Sequence, residues 1–163
     1  MSLARAARAH AHLAVLDGDM VTYLVKQRYG RGDIHSAENI QLEAYCTAIG
    51  KMLLAHLEPS EQNAYLTSAP FIRLTSATII EPRDIREQLA QARERGWAAE
   101  IEETSPHLMC LAVPIVDRIG KAHAAISVSI IDPLPTLTAL LERIPFLLQA
   151  RLQIEDKLFP DSR

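Results

Sequence analysis

The chain has 163 residues, 48% of them apolar and 23% charged, the balance of one folded domain and not of a disordered segment. No apolar run approaches the roughly 18 residues that a membrane-spanning helix needs, and the arginine-rich start Met1-Ser2-Leu3-Ala4-Arg5-Ala6-Ala7-Arg8 is no secretory signal. A net charge of −3, from 17 Lys and Arg against 20 Asp and Glu, with one Trp, four Tyr and three Phe, speaks against a free-standing nucleic-acid binder, which needs a basic stripe or a stacking platform.

Two strands open the chain. His10–Leu16 and Met20–Val25 are apolar, β-branched runs, and Asp17-Gly18-Asp19 between them is a hairpin signal. Gly30 and Gly32 make Tyr29–Asp33 a loop. A helix follows Thr47, whose hydroxyl suits the N-cap, with Ala48, Ile49, Met52, Leu53 and Ala55 supplying its apolar stripe. Pro59-Ser60-Glu61 starts a second, short helix ending near Thr67. A third begins at Pro82, carries Ile85, Leu89 and Ala92 on one face and stops at Gly96. Three strands come next, Trp97–Thr104, Leu108–Val116 and Ala122–Ile131, the last two joined through Asp117-Arg118-Ile119-Gly120-Lys121. Asp132–Pro135 ends the sheet. Thr136–Lys157 reads as a closing helix that Pro145 should kink or split. This order predicts an α+β fold, an antiparallel sheet with helices packed on it.

The last strand carries the most chemical information. Period-two alternation puts Ala122, Ala124, Ile126, Val128 and Ile130 on one face, and His123, Ala125, Ser127, Ser129 and Ile131 on the other. An apolar face opposite a small, hydroxyl-bearing one predicts a core on one side and a polar cavity or solvent on the other. Glu100, Glu102 and Thr104 fall on one face of their predicted strand. Glu102 and Glu103 read as solvated or ion-paired groups rather than catalytic ones. The first amides of the helix after Thr47 have no partner within the helix and carry partial positive charge, so a carboxylate could dock there; a plain threonine cap would give the same sequence.

Cys110 lies in an apolar strand and reads as a small buried hydrophobe, whereas Cys46 precedes a helix, a position that can lower a thiol pKa. Two cysteines and no signal peptide point to the reducing cytoplasm. The six histidines, His10, His12, His35, His56, His107 and His123, form no HxxxH motif, there is no CxxC, and no GxxxxGK[ST] or GxGxxG loop occurs. Neither a metal nor a nucleotide cofactor is therefore expected.

Several blocks, in order, resemble the IclR family of bacterial transcription regulators: Thr47-Ala48-Ile49-Gly50-Lys51-Met52-Leu53-Leu54-Ala55, Thr78-Ile79-Ile80, Leu89…Arg95-Gly96-Trp97, Glu102-Glu103, Cys110–Asp117 and Ala124–Ser129. The resemblance implies the family's effector-binding domain over residues 1–163, a GAF-like α+β fold that senses a small molecule and forms dimers or tetramers. DNA would be bound through an N-terminal winged helix-turn-helix domain outside this chain, and Ala4–Ala9 would be the approach to the sheet. Carried over position by position, the effector pocket falls on Thr47, Ala48 and Ile49 at the helix start, Glu100 before the Glu-Glu pair, Cys110 in its strand, and Ser127 and Ser129. Two departures lie near the pocket mouth. Members often have a glycine shortly before the strand cysteine, where this chain has Pro106-His107-Leu108, and Gly-Pro after the second serine, where it has Ile130-Ile131-Asp132-Pro133. Glu100 would repel a plain anion unless it is protonated or accepts from a ligand hydroxyl, so the expected effector is a hydroxy-, keto- or phenolic acid. A ligand-free dimerisation module and a cysteine-dependent hydrolase are the alternatives.

Overall fold

A computed structural model describes residues 2–30, 34, 38–68, 70–133 and 136–160. The elements run α1 (Leu3–Ala7), β1 (His10–Asp17), β2 (Met20–Gln27), β3 (Gln41–Glu43), α2 (Ala48–Ala55), α3 (Pro59–Thr67), α4 (Pro82–Arg95), β4 (Ala98–Ile101), β5 (Leu108–Val116), β6 (Ala122–Ile131), α5 (Leu137–Leu141) and α6 (Ile144–Leu158). The strands form one sheet of order β3-β2-β1-β6-β5-β4, antiparallel at every junction.

Helices cover both sheet faces, and strand alternation sorts the residues between them. Met109, Leu111, Val113 and Ile115 of β5 join Ala124, Ile126 and Val128 of β6 in a core closed by α1, α5 and α6 through Ala4, Ala7, Leu140 and Leu147. The opposite face presents Ala14, Ala112 and Ala125 to α2. Methyl side chains at the middle of the sheet let a helix lie close against it, and all eight residues of α2 are buried. The face opposite the apolar one is therefore part core and part cavity. The helix covers its alanines, and the serines farther along β6 face a hollow beyond the helix start.

Gly50 sets that position. A Cβ built there would lie 2.1 Å from the carbonyl oxygen of Ala44 and 2.4 Å from its Cα, so only glycine permits the approach of α2 to the segment before it. Gly96, at φ +78, closes α4 in the left-handed conformation.

One sequence reading is corrected and two elements are added. The strand after Gly96 spans only Ala98–Ile101 and not Trp97–Thr104. Glu102 takes φ +58 and its amide bonds to the Leu108 carbonyl at 2.7 Å, while the Thr75 and Thr78 hydroxyls take the carbonyls of Glu102 and Glu103. With these groups engaged, the chain turns back and the expected sharing of a face by Glu100, Glu102 and Thr104 is lost. Second, the approach to the sheet is the short helix α1. Third, the short edge strand β3, which carries no apolar alternation, had no counterpart in the sequence reading. Pro145 falls in the first turn of α6 and splits the closing helix into α5 and α6. Parts of the expected Tyr29–Asp33 loop and of the Asp132–Pro135 stop lie outside the described residues, as does His35.

Pro114 lies within β5 without breaking a ladder on both sides. β4 pairs with β5 only over Met109–Ala112, so beyond Ala112 the strand is an edge, where a missing N–H is tolerated.

Candidate functional site

Between the start of α2 and the C-terminal half of β6 lies a cavity of about 270 Å³. Its floor is the hydroxyl side of β6, with Ser127 and Ser129 only 3% and 2% exposed. Antiparallel register places His12 opposite Ser127 on β1 and Cys110 opposite Ser129 on β5. The Ser129 hydroxyl donates to Cys110 Sγ at 3.0 Å.

At the roof, Thr47 caps α2. Its Oγ1 accepts from the Gly50 amide at 3.1 Å and donates to the Glu43 carbonyl at 3.0 Å, and its carbonyl accepts from the Lys51 amide at 2.9 Å. The Ala48 and Ile49 amides have no acceptor within the helix and sit at its positive end, and both residues line the cavity.

Glu100 is the acidic member. It is 1% exposed, and its Oε1 accepts from the Thr104 amide at 2.9 Å and the Thr104 hydroxyl at 3.0 Å. Oε2 meets no donor in strict hydrogen-bond geometry, and the Cys110 thiol is the polar group facing this carboxyl. Burial pushes its carboxyl above the usual range, and the hydrogen bonds from Thr104 and the Cys110 thiol oppose that shift. His12 is driven the other way, down to about 4, by burial first and then by the charges of Lys26 and His10. The cavity thus carries a neutral imidazole and a carboxyl inclined to keep its proton.

All seven residues expected at the pocket, Thr47, Ala48, Ile49, Glu100, Cys110, Ser127 and Ser129, line this one cavity. Sequence reasoning missed His12, Tyr23 and Thr104. His12 and Tyr23 meet edge to face with centroids 5.4 Å apart; the alternation of β1 against Ala14 could have flagged His12. Between the lining residues Pro106 and Leu108, His107 adopts φ +65, a conformation glycine takes at little cost, in the segment where the resemblance leads one to expect a glycine.

The thiols are poor nucleophiles. Cys46 is buried beside Glu43 and pushed up to about 12, and Cys110 is raised well above its ordinary value by burial and the neighbouring Glu100. Position before a helix does not lower the Cys46 thiol pKa here, because desolvation outweighs it. Among the described residues, no three His, Cys, Asp or Glu side chains converge as a metal site, and no helix is long and apolar enough to cross a membrane.

The family model of the bacterial transcriptional regulator IclR C-terminal domain matches residues 1–135. The chain belongs to the IclR family. It is 32% identical over 152 residues to the Pca regulon regulatory protein of Pseudomonas putida, covering 91% of this chain and 52% of that protein. It is 33% identical over 150 residues to the HTH-type transcriptional regulator KdgR of Escherichia coli K12, covering 87% and 53%. An IclR homolog from Microbacterium hydrocarbonoxydans, solved with 4-hydroxybenzoate, superposes with a TM-score of 0.86 at 26% identity, over 96% of this chain and 63% of that one. The chain spans about half the length of these curated relatives. Within the IclR family it corresponds to the effector-binding domain, and the relatives are transcriptional regulators, not enzymes.

Proposed function

We propose that this IclR-type domain binds a small hydroxy-, keto- or phenolic acid in the cavity between α2 and β6, and that the ligand shifts the arrangement of a dimeric or tetrameric regulator. The observation that carries the reading is the polarity of the cavity. Ala48 and Ile49, at the start of α2, line one end, and the buried Glu100 carboxyl beside the Cys110 thiol lines the wall. A ligand carboxylate at the Ala48 and Ile49 amides gains roughly 0.3–2 kcal/mol from the helix dipole, in addition to its hydrogen bonds. A hydroxyl or carbonyl on the same ligand meets Glu100 Oε2, as acceptor or, when protonated, as donor. Ser127 and Ser129 serve polar substituents, and Cys110 forms wall. A plain dicarboxylate would place a second charge against Glu100 and bind less well. The relative solved with 4-hydroxybenzoate holds a ligand of this class.

In the full-length regulator, acting in the cytoplasm, the effector would favour one arrangement of the oligomer. DNA affinity at a winged helix-turn-helix domain would then change by a coupling typically worth 1–3 kcal/mol. The test is a thermal-shift screen of small organic acids, 4-hydroxybenzoate included, on the wild type and on a Ser127→Ala, Ser129→Ala double variant. Stabilisation by an acid bearing a hydroxyl or keto group, reduced in the double variant, supports the reading. No stabilisation by any acid, or equal stabilisation of both proteins, overturns it. The cavity is open rather than filled by side chains, which weighs against a ligand-free dimerisation module.

A further inference from the structure

Most hydroxyl protons around the effector cavity are already committed. Thr47 donates its own to the Glu43 carbonyl, Thr104 to Glu100 Oε1 and Ser129 to Cys110 Sγ. Tyr23, on β2, also lines the cavity and is 6% exposed. Its phenol hydroxyl makes no hydrogen bond with any described residue, yet it is not sealed in and keeps surface open to the hollow. A tyrosine hydroxyl this deep in a protein usually meets a partner. The Cys110 thiol, the Glu100 carboxyl and the Cys46 thiol face it, so it stands at the Glu100 side of the hollow.

The backbone and the ring both fix this side chain. The register of β1 on β2 shifts after Leu13, so that Leu13 faces Val25 and Ala14 faces Tyr23, with Leu24 left over as a bulge. Bulges re-aim side chains and recur beside binding sites. Here the bulge keeps Tyr23 on the cavity face and sends Val25 to the α6 face, beside Leu13 and Ile154. The Tyr23 amide donates to the Ile40 carbonyl at 3.1 Å, and its carbonyl accepts from the Asn39 amide at 2.7 Å. Its ring meets His12 edge to face. A group held in this way binds with little further loss of side-chain freedom. Burial first, then the neighbouring Cys110 and Glu100, raise the phenol pKa, so the hydroxyl keeps its proton at neutral pH. Given the effector reading of this cavity, on which the inference rests, we propose that Tyr23 is a specificity-determining residue of the site: its O–H donates to the hydroxyl or keto oxygen of the bound acid. An acid lacking that oxygen leaves the phenol proton unmet, and the difference between the two is the domain's selectivity.

The experiment is calorimetric titration of the whole chain, wild type and Tyr23→Phe, with two pairs of acids: 4-hydroxybenzoate against benzoate, and 2-oxobutanoate against butanoate. Phenylalanine keeps the ring on His12 and removes only the oxygen. In at least one pair the wild type should bind the hydroxy or keto acid more tightly than its plain counterpart. Tyr23→Phe should weaken that acid about tenfold, the factor that one hydrogen bond of ordinary net strength is worth, and leave the plain acid within about twofold. A tyrosine that merely packs would weaken both acids alike. Equal weakening of both, or undiminished binding of the hydroxy or keto acid, overturns the role of Tyr23 and leaves the effector reading standing. No saturable binding of any of these acids by the wild type overturns the effector reading, and this inference with it. A second measurement needs no variant: in wild type carrying ζ-¹³C tyrosine, the Tyr23 resonance should shift saturably with the hydroxy or keto acid. A Tyr23 resonance that stays in place at saturation overturns the proposal.

Discussion

Gly50→Ala sets two physical effects against each other. Gly50 lies inside α2, and propensity alone predicts a gain of about 1 kcal/mol from alanine. Packing predicts the reverse. The new Cβ would sit 2.1, 2.4 and 2.6 Å from the O, Cα and C atoms of Ala44, all backbone, where real Cβ contacts below 3.0 Å essentially never occur. Relief requires α2 and the segment before it to part by nearly an ångström. Overpacking of this kind costs about 1–3 kcal/mol and sometimes more, and the parting also strains the Thr47 cap on the Gly50 amide. The expected net effect is a loss of about 2 kcal/mol, read as a lower urea midpoint at unchanged slope in far-ultraviolet circular dichroism. A variant as stable as the wild type, or more so, would refute the claim that close approach of α2 dictates this glycine.

Stability should fall as pH drops from about 6.5 to about 4, in part through His12. The folded imidazole resists protonation until about 4 while the unfolded one takes its proton near 6.5, so the unfolded state binds the extra proton and up to about 3 kcal/mol is lost across that window; an unaltered pH profile in His12→Gln would contradict this. Glu100 has the opposite sign, since its folded carboxyl is raised and its cost appears as pH rises above the unfolded value. Glu100→Gln should therefore gain stability relative to wild type at pH 7.5 and lose that gain near pH 4.5, and a variant more destabilised at the higher pH counts against the account. Lys51→Met strands a buried carboxylate and should cost about 3–5 kcal/mol, with Lys51→Met/Glu103→Leu recovering much of it; equal losses in both would show that the pair is not what holds α2 to the loop after β4. Both thiols should react slowly with Ellman's reagent at pH 8 until the protein is unfolded, and rapid labelling of Cys46 in the native state would reverse that assignment.

The sequence made legible whatever depended on period and punctuation. β5 ends where its apolar run meets Asp117, β6 where its run meets Asp132, and Thr47 and Gly96 mark a helix start and a helix stop. The serine face of β6 was readable as the polar one, but alternation alone could not say that α2 would shield it from water. That depends on Ala14, Ala112 and Ala125, brought side by side on β1, β5 and β6 from distant parts of the chain, and on Gly50, residues that carry no local signal of what they will face. The turn at Glu102 was hidden for the same reason. Its causes are the Thr75 and Thr78 hydroxyls, 27 and 25 residues away from the carbonyls they bind, and no local propensity reports them. Position by position, the family resemblance placed seven residues around one cavity, and it missed His12 and Thr104 because it assigned no pocket position to them.

The central claim is that an acid's carboxylate docks at the beginning of α2. An amide-resolved NMR titration of the chain with 4-hydroxybenzoate and a panel of small hydroxy and keto acids tests it most directly. The account predicts saturable, coincident shifts that are largest at the Ala48 and Ile49 amides, with Ser127 and Ser129 following. Saturable binding whose largest shifts fall on α6 or the β1–β2 hairpin, or no saturable shift from any acid, would contradict it.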